Sequence, residues 1–276
     1  MKRKLNHLKE ILAEMESALI AYSGGVDSTF LLKVAHDVLG DKVVAATALS
    51  PAYPFTEMEN AKEMAEILGV RHVTIATDEL SNPIFASNPL DRCYWCKKEL
   101  FSELAVRAGK YHLNYILDGS NNDDTNDFRP GMKAAKECGV RSPLQEAGLG
   151  KEEIRLLSRK MRLKTWNKPA LACLASRFPY GMAITEERLR MVDEAEEYLR
   201  SLGITQVRVR HHGSIARIEV PVAEMGKVIQ KKLRPKVIYK LNGLGYRYVT
   251  IDIEGYRTGS MNPIEQGSAS HVRAGK

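Results

Sequence analysis

Long apolar runs are missing from this chain. No window approaches the roughly 18 uninterrupted apolar residues of a membrane span, so no membrane association is expected. The opening "MKRKLNHLKEILAEMESALIAYS" reads as a charged amphipathic helix entering a short strand rather than as a leader. Both features imply a cytoplasmic protein. Cysteine is scarce as well: four in 276 residues are too few for a disulfide scaffold. The pair at C-x-x-C spacing, Cys93 and Cys96, therefore reads as a metal or redox device, although no second C-x-x-C and no histidine at finger spacing completes a zinc site nearby. Long Lys/Arg tracts are absent too, and 41 basic against 34 acidic residues is a mixed surface with a net charge of +7. Such a charge favours anionic ligands, and a nucleotide-sized substrate suits it as well as a nucleic acid does. There is no internal repeat and no low-complexity block.

What is present is a rhythm. The apolar runs "ALIAYS", "KVVAATALS", "VRHVTIAT" and "LNYILDGS" have strand length, and helical stretches such as "STFLLKVAHDVLG", "TEMENAKEMAEILG" and "CKKELFSELAVRAGK" separate them. Strand, helix, strand predicts an α/β fold with a doubly wound, mostly parallel sheet over residues 1–165. Ligands then belong at the carboxyl ends of the strands, in the loops after Tyr22, Leu49, Ile75 and Leu117. Residues 166–184, "TWNKPALACLASRFPYGMAI" with its neighbours, read as an active-site connector. Residues 185–261 read as a small α+β domain: a helix capped by Thr185, a hairpin at His212-Gly213, a helical stretch that Pro235 should kink or split, and a last strand "YRYVTIDIE". The polar residues 262–276 read as a disordered tail.

"AYSGGVDSTFLL" is the most informative stretch. An apolar strand stops at Ser23-Gly24-Gly25 and a helix begins at Val26-Asp27-Ser28. Paired glycines let bare N–H groups turn toward a ligand at a helix N-terminus, where the dipole favours an anion, so the loop is expected to hold phosphate. It lacks the Gly-Lys-Ser/Thr end of a P-loop and the spacing of the dinucleotide fingerprint. A second stretch, "LDGSNNDD", follows the fourth apolar run; Asp118, Asp123 and Asp124 are candidate oxygen ligands for Mg²⁺.

Ser-Gly-Gly-hydrophobic-Asp-Ser after a first strand resembles the pyrophosphate loop of the N-type ATP pyrophosphatases, and "LDGSNNDD" and "RSPLQEAGLGKEEIRLLSRKM" resemble later segments of that superfamily. The resemblance implies ATP bound by Ser23, Gly24, Gly25, Val26, Asp27, Ser28, Gly119 and Asn121, with Asp27 also a catalytic candidate. Cleavage between the α- and β-phosphates would then place AMP on a substrate oxygen. "KPALACLASRFPYG", "VRVRHHGSIARIEV" and "DIEGYRTGSMN" are further similar to the LarE family of ATP-dependent sulfurtransferases, which build the pyridinium-3,5-bisthiocarboxylate mononucleotide of the nickel-pincer cofactor of lactate racemase.

That family resemblance implies adenylation of a carboxylate of pyridinium-3,5-biscarboxylate mononucleotide and displacement of AMP by sulfur. In one type of member the cysteine at the position of Cys173 surrenders its own sulfur; in the other, three cysteines hold a [4Fe–4S] cluster. Cys93 and Cys96 beside Cys173 fit the cluster type, with one iron left open for a hydrosulfide. Cys138, at a helix end, reads as a small buried hydrophobe. Arg208 and Arg210 alternate on one strand and so share a face. The resemblance puts the mononucleotide phosphate near them, with Arg177 and Trp95 as further substrate contacts. Arg217, on the returning strand, and Arg257 are weaker candidates for the same anion, whereas Glu197 and Asp252 read more simply as surface charges. The implied partners are a small mononucleotide, a sulfide donor and further copies of the chain, as a trimer or hexamer, and no nucleic acid. A tRNA thiolase and a non-catalytic nucleotide sensor stay open as alternatives, since "KKLRPK" offers RNA some basic surface.

Overall fold

A computed structural model describes residues 1–126, 130–169, 172–257 and 259–261, so the expected tail at 262–276 lies outside the described residues. The chain divides into two compact units: residues 1–175 with 181–190, and residues 176–180 with 191–276. The stretch 166–184, expected as one connector, is thus shared between them.

In the first unit β1 (Ala18–Ala21), β2 (Val43–Leu49), β3 (Arg71–Ala76) and β4 (Tyr115–Leu117) form one sheet in the order β3-β2-β1-β4. All three pairings are parallel, with Ala18 opposite Val43 on one side and Tyr115 on the other. Parallel neighbours need crossovers, and helices supply them: α1 (Lys2–Ala13) precedes the sheet, and α2 (Val26–Leu39), α3 (Phe55–Ile67), the single turn α4 (Pro83–Ala86) and α5 (Arg92–Lys110) lie between strands. After β4 come α6 (Pro130–Glu137), α7 (Pro143–Glu146) and α8 (Lys151–Lys160).

The side-chain period of two explains why both faces are covered. In β1, Ala18 and Ile20 join a core with Leu8 and Leu12 of α1 and Phe30 and Leu31 of α2. Leu19 points the other way, into a core with Leu100, Phe101 and Leu104 of α5. Each large side chain fully buried there, such as Phe101, contributes about 1.5–3 kcal/mol relative to exposure.

The second unit carries β5 (Arg208–His212), β6 (Ile215–Glu219) and β7 (Tyr248–Ile251), in that spatial order, with most of α9 (Glu186–Ser201), α10 (Met225–Ile229) and α11 (Arg234–Gly243). β5 and β6 make the antiparallel hairpin, whose turn uses Gly213 at φ 64°, and β7 adds parallel to β6. Ala195, Leu199, Val209, Ile218, Val237 and Leu241 fill its separate core. Pro235 splits the helical stretch rather than kinking it. It lies in the first turn of α11, where its missing N–H would have had no helical partner.

Candidate functional site

The loop after β1 is built by two local constraints. Gly24 sits at φ 67°, and a Cβ there would lie 2.9 Å from the Cβ of Ala61 on α3, so only glycine lets the loop press on that helix. Gly25 is extended and caps α2, whose first turn carries Asp27. The Ser23 and Ser28 hydroxyls are 3.1 Å apart, closing the loop on itself. The loop after β4 abuts it: a Cβ at Gly119 would lie 3.0 Å from the Ser28 nitrogen. Both glycine loops therefore meet at the carboxyl end of the sheet, around the N-terminus of α2.

The carboxylates beside them already have work within the fold. Asp118 accepts from Ser120 N (3.1 Å), Ser120 Oγ (2.8 Å) and Ser142 Oγ (2.7 Å). Asp123 accepts from Lys151 N at 2.7 Å, and Asp124 from Asn121 N at 2.9 Å. The Asn121 side-chain oxygen Oδ1 in turn accepts from Asp123 N. Asp27 Oδ2 takes the Lys151 ammonium at 2.5 Å, while its buried Oδ1 has no partner. Burial raises the Asp27 carboxyl above the usual range, and Lys151 pulls the other way.

Next to the loop, a cavity at the ends of β1 and β2 is lined by Tyr22, Ser23, Ala46, Tyr53, Glu57 and Cys173, among others. Cys173 is partly buried, and the backbone just after it is fixed by Leu174 N donating to Ala52 O at 2.8 Å. α5 begins at Arg92, four residues before the helical stretch read from Cys96, and so carries both Cys93 and Cys96 on its first turns. Cys93 is exposed and Cys96 buried.

The Cys96 sulfur lies 3.5 Å from the Tyr53 hydroxyl and donates to Glu79 at 3.6 Å. Glu79 is buried and also accepts from Ser50 (2.6 Å) and Thr77 (3.2 Å). Burial, then the charges on Glu79 and Cys173, push the Cys96 thiol far up, against the pull of Lys97. Charge on Cys96, burial and charge on Cys173 hold the Tyr53 hydroxyl well above the ordinary phenol range.

Sequence reasoning missed Tyr53, Glu79 and Lys151. The first two follow the carboxyl ends of β2 and β3, a positional signal that could have found them.

This donor set tests the implied iron–sulfur cluster. Thiols are soft ligands that suit iron, and Cys96 and Cys173 act on one Tyr53 hydroxyl. Even so, among the described residues no group of three or more His, Cys, Asp or Glu side chains is gathered to hold a metal ion. Among the described residues the trio is not assembled, and neither are the three aspartates.

Trp95 is half-buried, edge-on to Tyr94 at 5.2 Å, with its indole nitrogen buried and unpartnered. Cys138 packs partly buried against the α5 side of the sheet.

In the second unit the arginines have internal carboxylates. Arg177 is 1% exposed and donates from Nε (2.8 Å) and Nη2 (2.9 Å) to Glu196, which Arg200 also reaches. Arg210 donates to Glu219 at 2.7 Å and to Ser176 O at 3.0 Å. Arg208 is buried beside the Tyr256 ring, and burial, then Arg177, lower its pKa. Arg217 reaches Glu219 and Asp252, Arg257 pairs with Asp252 and Glu254, and Glu197 is exposed. Arg177, read from the sequence as a substrate contact, carries a buried ion pair with Glu196.

A parallel sheet whose first strand runs through a double-glycine loop into a helix N-terminus, with a second glycine loop packed on it, is an α/β arrangement consistent with a PP-loop domain. Its relatives agree. The chain is 42% identical over 252 residues, 91% of each chain, to the pyridinium-3,5-bisthiocarboxylic acid mononucleotide synthase of Lactiplantibacillus plantarum. It is 46% identical over 264 residues, 96% of its own length and 98% of the other's, to an uncharacterized protein of Synechocystis sp.. It is 26% identical over 175 residues, 57% of its own length and 55% of the other's, to a glutamine-hydrolyzing GMP synthase polypeptide of Archaeoglobus fulgidus. No family model matches. The chain belongs to the pyridinium-3,5-bisthiocarboxylic acid mononucleotide synthase family.

Proposed function

We propose that this protein is an ATP-dependent sulfurtransferase that converts a carboxylate of pyridinium-3,5-biscarboxylate mononucleotide into a thiocarboxylate, the precursor of a nickel-pincer cofactor. One observation carries the reading: Cys173 and the phosphate-loop residue Ser23 line the same cavity. A sulfur nucleophile and a phosphate loop on one cavity is what adenylation followed by sulfur transfer requires.

The chemistry follows from that placement. Backbone N–H groups of residues 23–28 and the α2 dipole hold the β- and γ-phosphates, with Gly119 and Asn121 flanking. Asp27 Oδ1, which has no partner in the fold, is the oxygen on offer to the Mg²⁺ of MgATP. A substrate carboxylate oxygen attacks the α-phosphorus, pyrophosphate leaves, and an acyl-adenylate remains. Cys173 Sγ then attacks the acyl carbon and AMP departs, giving a thioester. Loss of the Cys173 Cα proton, with cleavage of the Cβ–Sγ bond, would release the thiocarboxylate and leave dehydroalanine.

The alternative sulfur source is a [4Fe–4S] cluster, which would have to draw Cys93, Cys96 and Cys173 together around it. When bound, a cluster supplies replaceable inorganic sulfide, so the cysteine is not consumed. Arg208 and Arg210 are the candidates to meet the mononucleotide phosphate, and the working form is a homo-oligomer that takes sulfide from a donor.

The test uses MgATP, the biscarboxylate mononucleotide and sulfide with the wild type and Cys173→Ala, following pyrophosphate and, by mass spectrometry, thiocarboxylate. Pyrophosphate release by both proteins, with thiocarboxylate from the wild type alone, is the expected result. No pyrophosphate from the wild type would remove the reading. Iron and acid-labile sulfide after anaerobic reconstitution separate the two sulfur sources: product beyond the amount of protein requires the cluster, whereas stoichiometric product with dehydroalanine at position 173 assigns the sulfur to the cysteine.

A further inference from the structure

Lys168 opens the stretch "KPALACLASRFPYG" and spans the two halves of the candidate site. Its ammonium donates to the Gly24 carbonyl at 3.2 Å, on the phosphate loop itself, and lies 2.6 Å from Glu57 Oε2. That Glu57 oxygen is buried, and the contact is a close ion pair. Lysine has three donors; Gly24 O and Glu57 account for two of them.

The backbone from which the side chain springs is rigid. Lys168 N donates to Thr165 O at 2.9 Å, and Arg155 of α8 donates to Trp166 O at 2.9 Å and to Lys168 O at 3.0 Å. The same connector leads to Cys173, whose far side is fixed at Ala52. Glu57 and Cys173 both line the cavity.

We propose that Lys168 binds the nucleotide phosphates held by residues 23–28, with Glu57 as its positioning residue, and that this contact registers Cys173 against the bound nucleotide. The proposal rests on reading the glycine loop as an ATP-phosphate site. Physically, a half-buried ammonium beside the loop lowers the cost of gathering several phosphate charges there, and a charge-assisted N–H···O contact supplies direction. Because the lysine's backbone is held by α8, the contact also ties to the nucleotide a point five residues before the thiol, which a lysine arriving from solvent would not do.

Titration calorimetry of MgATP and peptide-mapped alkylation of Cys173 by iodoacetamide, on the full chain, test this with Lys168→Met and Lys168→Gln. Circular dichroism verifies the fold of each. Loss of one charge-assisted contact predicts MgATP binding weakened at least about tenfold in both variants. MgATP is expected to slow alkylation of Cys173 in the wild type. At saturating MgATP that protection should drop by at least about threefold in the variants, while alkylation without nucleotide stays at the wild-type rate. A lysine that merely braces the fold would not change protection at saturation. MgATP binding within twofold of wild type in either folded variant overturns the phosphate contact, and undiminished protection at saturation overturns the coupling to Cys173. A wild type that binds no MgATP removes the ATP reading itself, a result distinct from both.

Discussion

Gly24 shows how much one residue decides. Its φ of 67° is a conformation that costs an L-residue about 1–2 kcal/mol, and a Cβ would also meet Ala61 at 2.9 Å. Gly139 has the same φ of 67° with nothing within 4 Å of its would-be Cβ, so it isolates the dihedral cost from the packing cost. In urea denaturation, Gly139→Ala should lose about 1 kcal/mol and Gly24→Ala clearly more, with MgATP binding lost only in the latter. Equal losses would mean that α3 gives way and that the loop is not pinned by Ala61. This glycine was legible because a motif surrounds it. Tyr53 and Glu79 were not: each is an ordinary residue type, and its meaning comes from a cysteine on α5 that the fold brings alongside. No local pattern encodes such a meeting.

Elements carry consequences that residues alone do not. α9 presents Glu196, fully buried, to three donors besides the chain: Arg177 through two nitrogens, Arg200, and Val209 N at 3.0 Å. Burial by itself would raise this carboxyl; Arg177, through charge and hydrogen bonding, and then Arg208 more than reverse that, so its pKa lies below the ordinary carboxylate range. A depressed folded pKa contributes stability above the unfolded value and loses it as pH falls through the folded value. Glu196→Gln leaves Arg177 a buried charge without its carboxylate, and is expected to cost about 3–5 kcal/mol at neutral pH. In chemical denaturation the gap between wild type and variant should narrow as the pH drops below the carboxylate range. A gap unchanged by pH would assign the effect to shape and not to charge. The pairing also explains why the unit boundary escaped a reading of the sequence: Arg177 lies in a proline-rich connector, and its carboxylate sits 19 positions on. The strand and helix alternation of the first unit, in contrast, is written in apolar periodicity, which is local.

At the scale of the whole molecule the question is which anion the basic surplus serves. A net charge of +7 would suit tRNA if the arginines were available. Arg177, Arg208 and Arg210 are buried, and two of them are bound to glutamates. Among the described residues, exposed basic runs remain at Arg159, Lys160, Arg162 and Lys164 and at Lys231, Lys232, Arg234 and Lys236. A handful of phosphate contacts of this kind gives non-specific binding in the range of about 10⁻⁴–10⁻⁶ M that falls steeply with salt. Fluorescence anisotropy with labelled tRNA should therefore show binding no tighter than this near physiological salt, weakened by Lys231→Glu with Lys232→Glu. Pyrophosphate release should respond to the biscarboxylate mononucleotide and be indifferent to tRNA. Salt-tolerant nanomolar binding with tRNA-triggered pyrophosphate release would reverse the assignment and make the chain a tRNA thiolase, because only base stacking and shape recognition survive when the ionic contribution is screened. Burial of the arginines argues for the small molecule: a phosphate polyanion needs many cations at the surface, whereas a single mononucleotide needs one pocket.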